Sequence, residues 1–266
     1  MLLKTITLIF LSIIKLPILL FQAIHTRRTT IRLPDAEGKN QGRQLGNKLT
    51  QKSKSTAATL CIIGESTVAG VGTDKLENAI GARTANSLSN LLGGPVAWSS
   101  HGVNGIRIKG ILDEVIPQVI RSYSNLMKKN KAAKTRIFLV CIGANDTTKL
   151  TSIRKWRWRL AELVLALSRL DSHAKIIFTS VPPMHKFSAL PQPLRFMIGQ
   201  RAKQLQKALE EHHFANRYFL VMPALFSSVK EGLAEDGYHP STSGYAEWGQ
   251  VNAEYVMKLL QNDNAV

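Results

Sequence analysis

From about residue 57 onward the chain switches repeatedly between two hydrophobic periods. Unbroken apolar runs of strand length occur at 58–63 (ATLCII), 95–99 (PVAWS), 136–142 (RIFLVCI), 175–181 (KIIFTSV) and 217–221 (RYFLV). Because the runs are continuous rather than alternating, both faces of each strand are expected to be covered, as in a parallel sheet. Between them, helical spacing covers 78–92, 108–126, 153–170, 194–213 and 242–261. This alternation predicts an α/β fold in which helices pack on both faces of a parallel sheet. In such sheets functional groups gather in the loops at the C-terminal ends of the strands.

The N-terminal pattern is different. Residues 5–24 (TITLIFLSIIKLPILLFQAI) have the length of a bilayer crossing, and thirteen of them are Ile, Leu or Phe. Lys15 opposes insertion and Pro17 kinks a helix, but the summed hydropathy favours a membrane-anchor helix over residues 1–25, transmembrane or in plane. A cleaved signal fits less well, because no small-residue cleavage site follows and Arg27, Arg28 and Arg32 come next, and a helix packed on the domain is the remaining alternative. Those arginines resist translocation and are expected to hold the C-terminal side in the cytoplasm. Residues 26–56 are poor in large apolar side chains and read as a basic, mostly irregular linker, leaving 57–266 as the folded domain.

Charge sharpens this picture. The chain carries 35 Lys and Arg against 18 Asp and Glu, a net +17. Ten of the basic residues, but only Asp35 and Glu37 of the acids, fall within 1–54. A basic run directly after an apolar segment suits an anionic membrane surface better than a nucleic-acid groove. Two further clusters, Lys128 to Arg136 and Arg154 to Arg159 with Trp156 and Trp158 interleaved, read as exposed helical faces. Nucleic acid is not an expected partner. Cys61 and Cys141 each lie inside an expected buried strand and read as core thiols rather than a disulfide. No Cys/His spacing suggests a metal, and no cofactor is expected. The His212-His213 pair reads as part of a solvated helix face.

Four strand ends carry chemistry. After the first comes Gly64-Glu65-Ser66-Thr67, a serine entering a helix with its hydroxyl exposed, although the plainer reading is a helix cap. After the second comes Ser100-His101-Gly102-Val103-Asn104-Gly105, where glycine lets backbone approach a ligand. The third ends in Gly143-Ala144-Asn145-Asp146, offering either an amide donor or a cap. Near the C-terminus, Asp236-Gly237-Tyr238-His239 can orient an imidazole through Nδ1 and leave Nε2 as a base.

In this order, the four blocks resemble those of the SGNH/GDSL hydrolase family, from about residue 58 to 250. The resemblance implies a flavodoxin-like three-layer α/β/α sandwich and a serine esterase or lipase. It puts the nucleophile on Ser66, with Asp236 and His239 as partners. The oxyanion donors would be the backbone N–H of Ser66, Gly105 (Gly102 being the alternative) and the Asn145 side chain. One departure stands out: the family has Asp before the serine, and this chain has Glu65, which is expected to alter local hydrogen bonding and lower activity more than change mechanism. The alternative reading is a catalytically impaired member that binds lipid or membrane surfaces. With the N-terminal helix, the expected substrate is an ester-containing small molecule or lipid, and the apolar, proline-stiffened stretch 181–194 is a candidate acyl-pocket wall.

Overall fold

The computed structural model describes residues 2–46, 55–215, 219–222 and 232–263. Lys48, Lys52 and Lys54 of the basic stretch, and the first two residues of the run at 217–221, lie outside the described residues.

Five parallel strands form where the unbroken apolar runs predict them: β2 (Ala58–Gly64), β3 (Val96–Gly102), β4 (Thr135–Cys141), β5 (Lys175–Phe178) and β6 (Phe219–Val221). A short strand β1 (Gln41–Gln44), from the stretch read as linker, adds to the outside of β3 in antiparallel sense. The order is β1-β3-β2-β4-β5-β6. Numbered among themselves, the parallel strands run 2-1-3-4-5, the flavodoxin-like order. The chain reverses direction across the sheet at β2, so the loops after β2, β3 and β4 open onto one crevice.

Successive strand residues point to opposite faces, and both faces are dry. Leu60, Ile62, Ile137 and Leu139 pack under α2 (Ile80–Leu92) and α8 (Thr242–Asp263). Cys61, Ile63, Phe138 and Val140 pack under α4 (Ile116–Lys129), α6 (Ile153–Leu170) and α7 (Leu194–Ala215). This is the three-layer arrangement that the alternation implies. A short helix α3 (Ile108–Gly110) runs through a π-helical turn, Ile111–Val115, into α4, and α5 (Ala144–Thr148) is a single turn after β4. Cys61 and Cys141 are buried free thiols, and burial pushes each up to about 12.

Three expectations change. The N-terminal segment is a helix, α1 (Leu2–Thr29), but among the described residues no helix is long and apolar enough to cross a membrane. The transmembrane expectation is corrected accordingly. Beyond Lys15 and Pro17 the helix carries Gln22, His25, Arg27 and Arg28, and this part lies along the domain. Gln22 Nε2 donates to the Gln192 carbonyl at 2.6 Å, its Oε1 accepts from Leu194 N–H at 3.1 Å, and Leu19 packs against the α7-side core. Second, the basic-aromatic cluster on α6 is not one surface. Trp156 is fully buried with Nε1 donating to Leu205 O, while Trp158, two residues on, points to solvent under Arg159. Third, His212 and His213 are half-buried against Phe219 rather than solvated.

Candidate active site

Ser66 sits two residues beyond β2 and is 6% exposed. It does not enter a helix. Residues 65–73 form consecutive turns, because Gly70 and Gly72 take left-handed backbone (φ 77° and 99°) that ends any helical run. The serine hydroxyl is therefore not spent on a cap and reaches His239 Nε2 at 2.8 Å. His239 Nδ1 lies 2.5 Å from Asp236 Oδ2. With the Nδ1 proton held by the carboxylate, Nε2 is the nitrogen left to accept from Ser66.

Asp236 is fixed before it fixes anything else. Its Oδ1 accepts from the backbone N–H groups of Tyr238 and His239, both at 2.9 Å. Burial works against its charge. The hydrogen bonds from the His239 side chain and from the His239 and Tyr238 backbone outweigh burial and hold its pKa below the ordinary carboxylate value. The loop is closed by Ala234 N–H to His239 O at 2.8 Å, and it is tied to the serine loop by Thr73 Oγ1 to Thr242 Oγ1 and by Tyr245 Oη to Val71 O.

Glu65 is 2% exposed and binds the third loop. Its Oε1 accepts from Gly143 N–H at 2.5 Å, and its Oε2 accepts from Asn145 N–H and Asn145 Nδ2, both at 2.9 Å. Burial pushes its pKa up to about 8, against the lowering effect of those bonds. Nothing within the Ser block signals this role, since the partners lie about eighty residues away; the Asp-to-Glu departure is the only hint. The amide of Asn145 has two N–H bonds, and one of them remains after Glu65 is served.

The sequence suggests Asp146 only as a cap partner of Asn145. In the fold it ties two loops together, with Oδ2 accepting from Ile108 N–H at 2.8 Å and Oδ1 from Thr151 Oγ1 at 2.6 Å. It therefore anchors the start of α3, just after Gly105, to the turn that carries Asn145. Gly105 has a left-handed φ of 74° and open space around it, and its carbonyl accepts from Lys149 Nζ. Gly102 serves packing instead. A Cβ there would sit 2.2 Å from Ala69 N, so its smallness lets β3 pass under the serine loop.

Beside these groups is a cleft of about 690 Å³, lined by Asn145, Tyr238 and His239 together with Ala23 and Ile24 of α1. Pro182 and Phe187 of the proline-stiffened stretch line a smaller cavity beside Ser66, and Leu190 and Leu194 line the cleft itself. Among the described residues no group of three His, Cys, Asp or Glu side chains is arranged to hold a metal ion.

A serine hydroxyl backed in series by an imidazole and a carboxylate, at the rim of a parallel sheet, is the constellation of α/β serine hydrolases. Comparison with known proteins narrows the class. Residues 62–247 match the model of the GDSL-like lipase/acylhydrolase family, and the chain belongs to that family. A GDSL-like esterase of Mycobacterium tuberculosis is 28% identical over 199 residues, covering 70% of this chain; the match spans 58% of that relative's length. In fold, the chain is similar to a lipase/acylhydrolase from Enterococcus faecalis (TM-score 0.55, 18% identity, 75% of this chain and 95% of that one). It is likewise similar to a psychrotrophic esterase from a Pseudoalteromonas species (TM-score 0.53, 15% identity, 77% and 98%).

Proposed function

We propose that the protein is a serine esterase that cleaves a carboxylic ester through an acyl-enzyme, with Ser66, His239 and Asp236 as its triad. The reading rests on one chain of contacts, Ser66 Oγ to His239 Nε2 to the doubly anchored Asp236. His239 takes the Ser66 proton as Oγ attacks the carbonyl carbon, and the imidazolium is stabilised by Asp236. The oxyanion is met by the N–H groups of Ser66 and Gly105 and by the Asn145 amide. Collapse of the tetrahedral adduct breaks the C–O bond, and His239 returns its proton to the departing alcohol. Water then attacks the acyl-enzyme by the same route in reverse.

The reading extends to an acylated or lipid substrate at a membrane surface, the catalytic part facing the cytoplasm. Supporting it, Leu16, Leu20 and Phe21 of α1 are exposed outside the cleft and Arg28 follows them, the mixture that suits a helix lying in a bilayer interface. The rival, an impaired lipid-binding member, draws on Glu65. Against it, the longer side chain of Glu65 holds Asn145 without using up its amide.

The test is labelling of the full chain with a fluorophosphonate probe. Wild type labels, and Ser66→Ala and His239→Ala do not; turnover of a p-nitrophenyl ester falls on the order of 10⁶-fold in Ser66→Ala. Folded wild type that neither labels nor hydrolyses esters would sink the reading.

A further inference from the structure

The cleft in front of His239 presents charges that ester cleavage does not use. Arg27 of α1, Arg32 just beyond it and Lys149, whose Nζ also donates to the Gly105 carbonyl, all line it. The one carboxylate among the lining residues is Asp236, which is bonded to His239 Nδ1 and to two backbone N–H groups. Among the described residues neither Arg27 nor Arg32 meets an acidic partner. Ile24, Leu190, Leu194 and Ile198 add apolar surface to the same lining. A neutral acyl ester would satisfy the apolar half of this cleft and leave three cations facing it. Two guanidinium groups and an ammonium around a concave, largely apolar space raise the local concentration of anions and match the oxygens of phosphate or carboxylate.

We propose that the cleft takes an ester bearing an anionic group, phosphate or carboxylate, which Arg27, Arg32 and Lys149 hold while the acyl chain lies along Leu190, Leu194 and Ile198. The N-terminal helix is then a wall of the substrate site. This deepens the esterase reading and rests on it for the ester, but the binding it calls for is measurable without turnover.

The test uses full-length Ser66→Ala protein and titration calorimetry with octyl phosphate, octanol and inorganic phosphate. Octyl phosphate is expected to bind at least about tenfold tighter than either, the scale of one charge-assisted hydrogen bond. Its advantage over octanol is expected to shrink with added salt and to fall to within about twofold in a variant that also carries Arg27→Gln and Arg32→Gln. Octyl phosphate binding no tighter than octanol would overturn the proposal. So would binding no tighter than inorganic phosphate, which would leave a bare anion site, or an advantage that survives both arginine substitutions. In wild type, the octanoyl ester of 4-hydroxybenzoate is expected to exceed that of 4-hydroxybenzamide in kcat/KM by about tenfold; a ratio near one also overturns the proposal. Loss of fluorophosphonate labelling with anion binding intact would overturn the esterase reading alone.

Discussion

Three N–H donors converge on the two oxygens of Glu65, and two of them belong to Asn145. The serine block is thereby coupled to the amide proposed to meet the oxyanion. Asn145→Ala is expected to lower kcat by roughly 10²–10³ with the fold intact, measured by ester turnover alongside near-ultraviolet circular dichroism. Glu65 also leaves a mark on stability. Its folded pKa is raised from 4.5 to about 8, so its contribution is full below pH 4.5 and is lost as pH rises to 8. Buried His101 runs the other way: its pKa is lowered from 6.5 to about 4, so it stabilises above pH 6.5 and that gain is lost on acidification. Between pH 6.5 and 8 the Glu65 slope is therefore unopposed by His101. Tm should fall across that window in wild type and flatten in Glu65→Gln, as read by differential scanning calorimetry; an unchanged slope would mean the carboxyl is already ionised. At this scale Ser66, Asp236 and His239 were legible because each sits in a short block beside a recognisable strand or helix. The roles of Glu65 and Asp146 were not, because their partners are distant in sequence and are brought near only by β2 lying between β3 and β4.

The strands were readable because burial on both faces demands unbroken apolar runs, and α2, α4, α6, α7 and α8 because their spacing is helical. β1 was not. Gln41-Gly42-Arg43-Gln44 carries no apolar signal and forms a strand only because β3 offers its outer side. At Gly42 a Cβ would come within 2.9 Å of the Trp98 indole nitrogen, so the glycine makes room for a tertiary neighbour that no local pattern records. The loops behave as linked elements too. Gly72 has φ 99°, and a Cβ there would meet the Pro240 carbonyl at 2.2 Å, one residue from His239. Gly72→Ala should therefore cost about 2–3 kcal/mol in urea unfolding. It should also depress kcat, since relief of the clash pushes on the segment that holds His239. Wild-type turnover in a destabilised Gly72→Ala would show that the two loops move independently.

For the molecule as a whole, the segment preceding the Ser block is used twice. α1 lines the cleft that His239 also lines, and β1 lies at the far side of the sheet from β6. Composition showed the apolar helix and the basic stretch, but not that the second half of α1 and β1 rest on the domain; hydropathy measures a preference for apolar surroundings without saying whether lipid or protein supplies them. The outermost position of β1 bears on where the chain tolerates cutting. Its four residues cover the outer peptide groups of Val96 to Ser99, and a chain trimmed to begin at residue 57 would leave that row of donors and acceptors bare. An uncovered edge of this kind pairs with the same edge of another copy. Light scattering should therefore report concentration-dependent assembly for residues 57–266 and not for the full chain, which makes the stretch that looks most dispensable the one that keeps the sheet from growing.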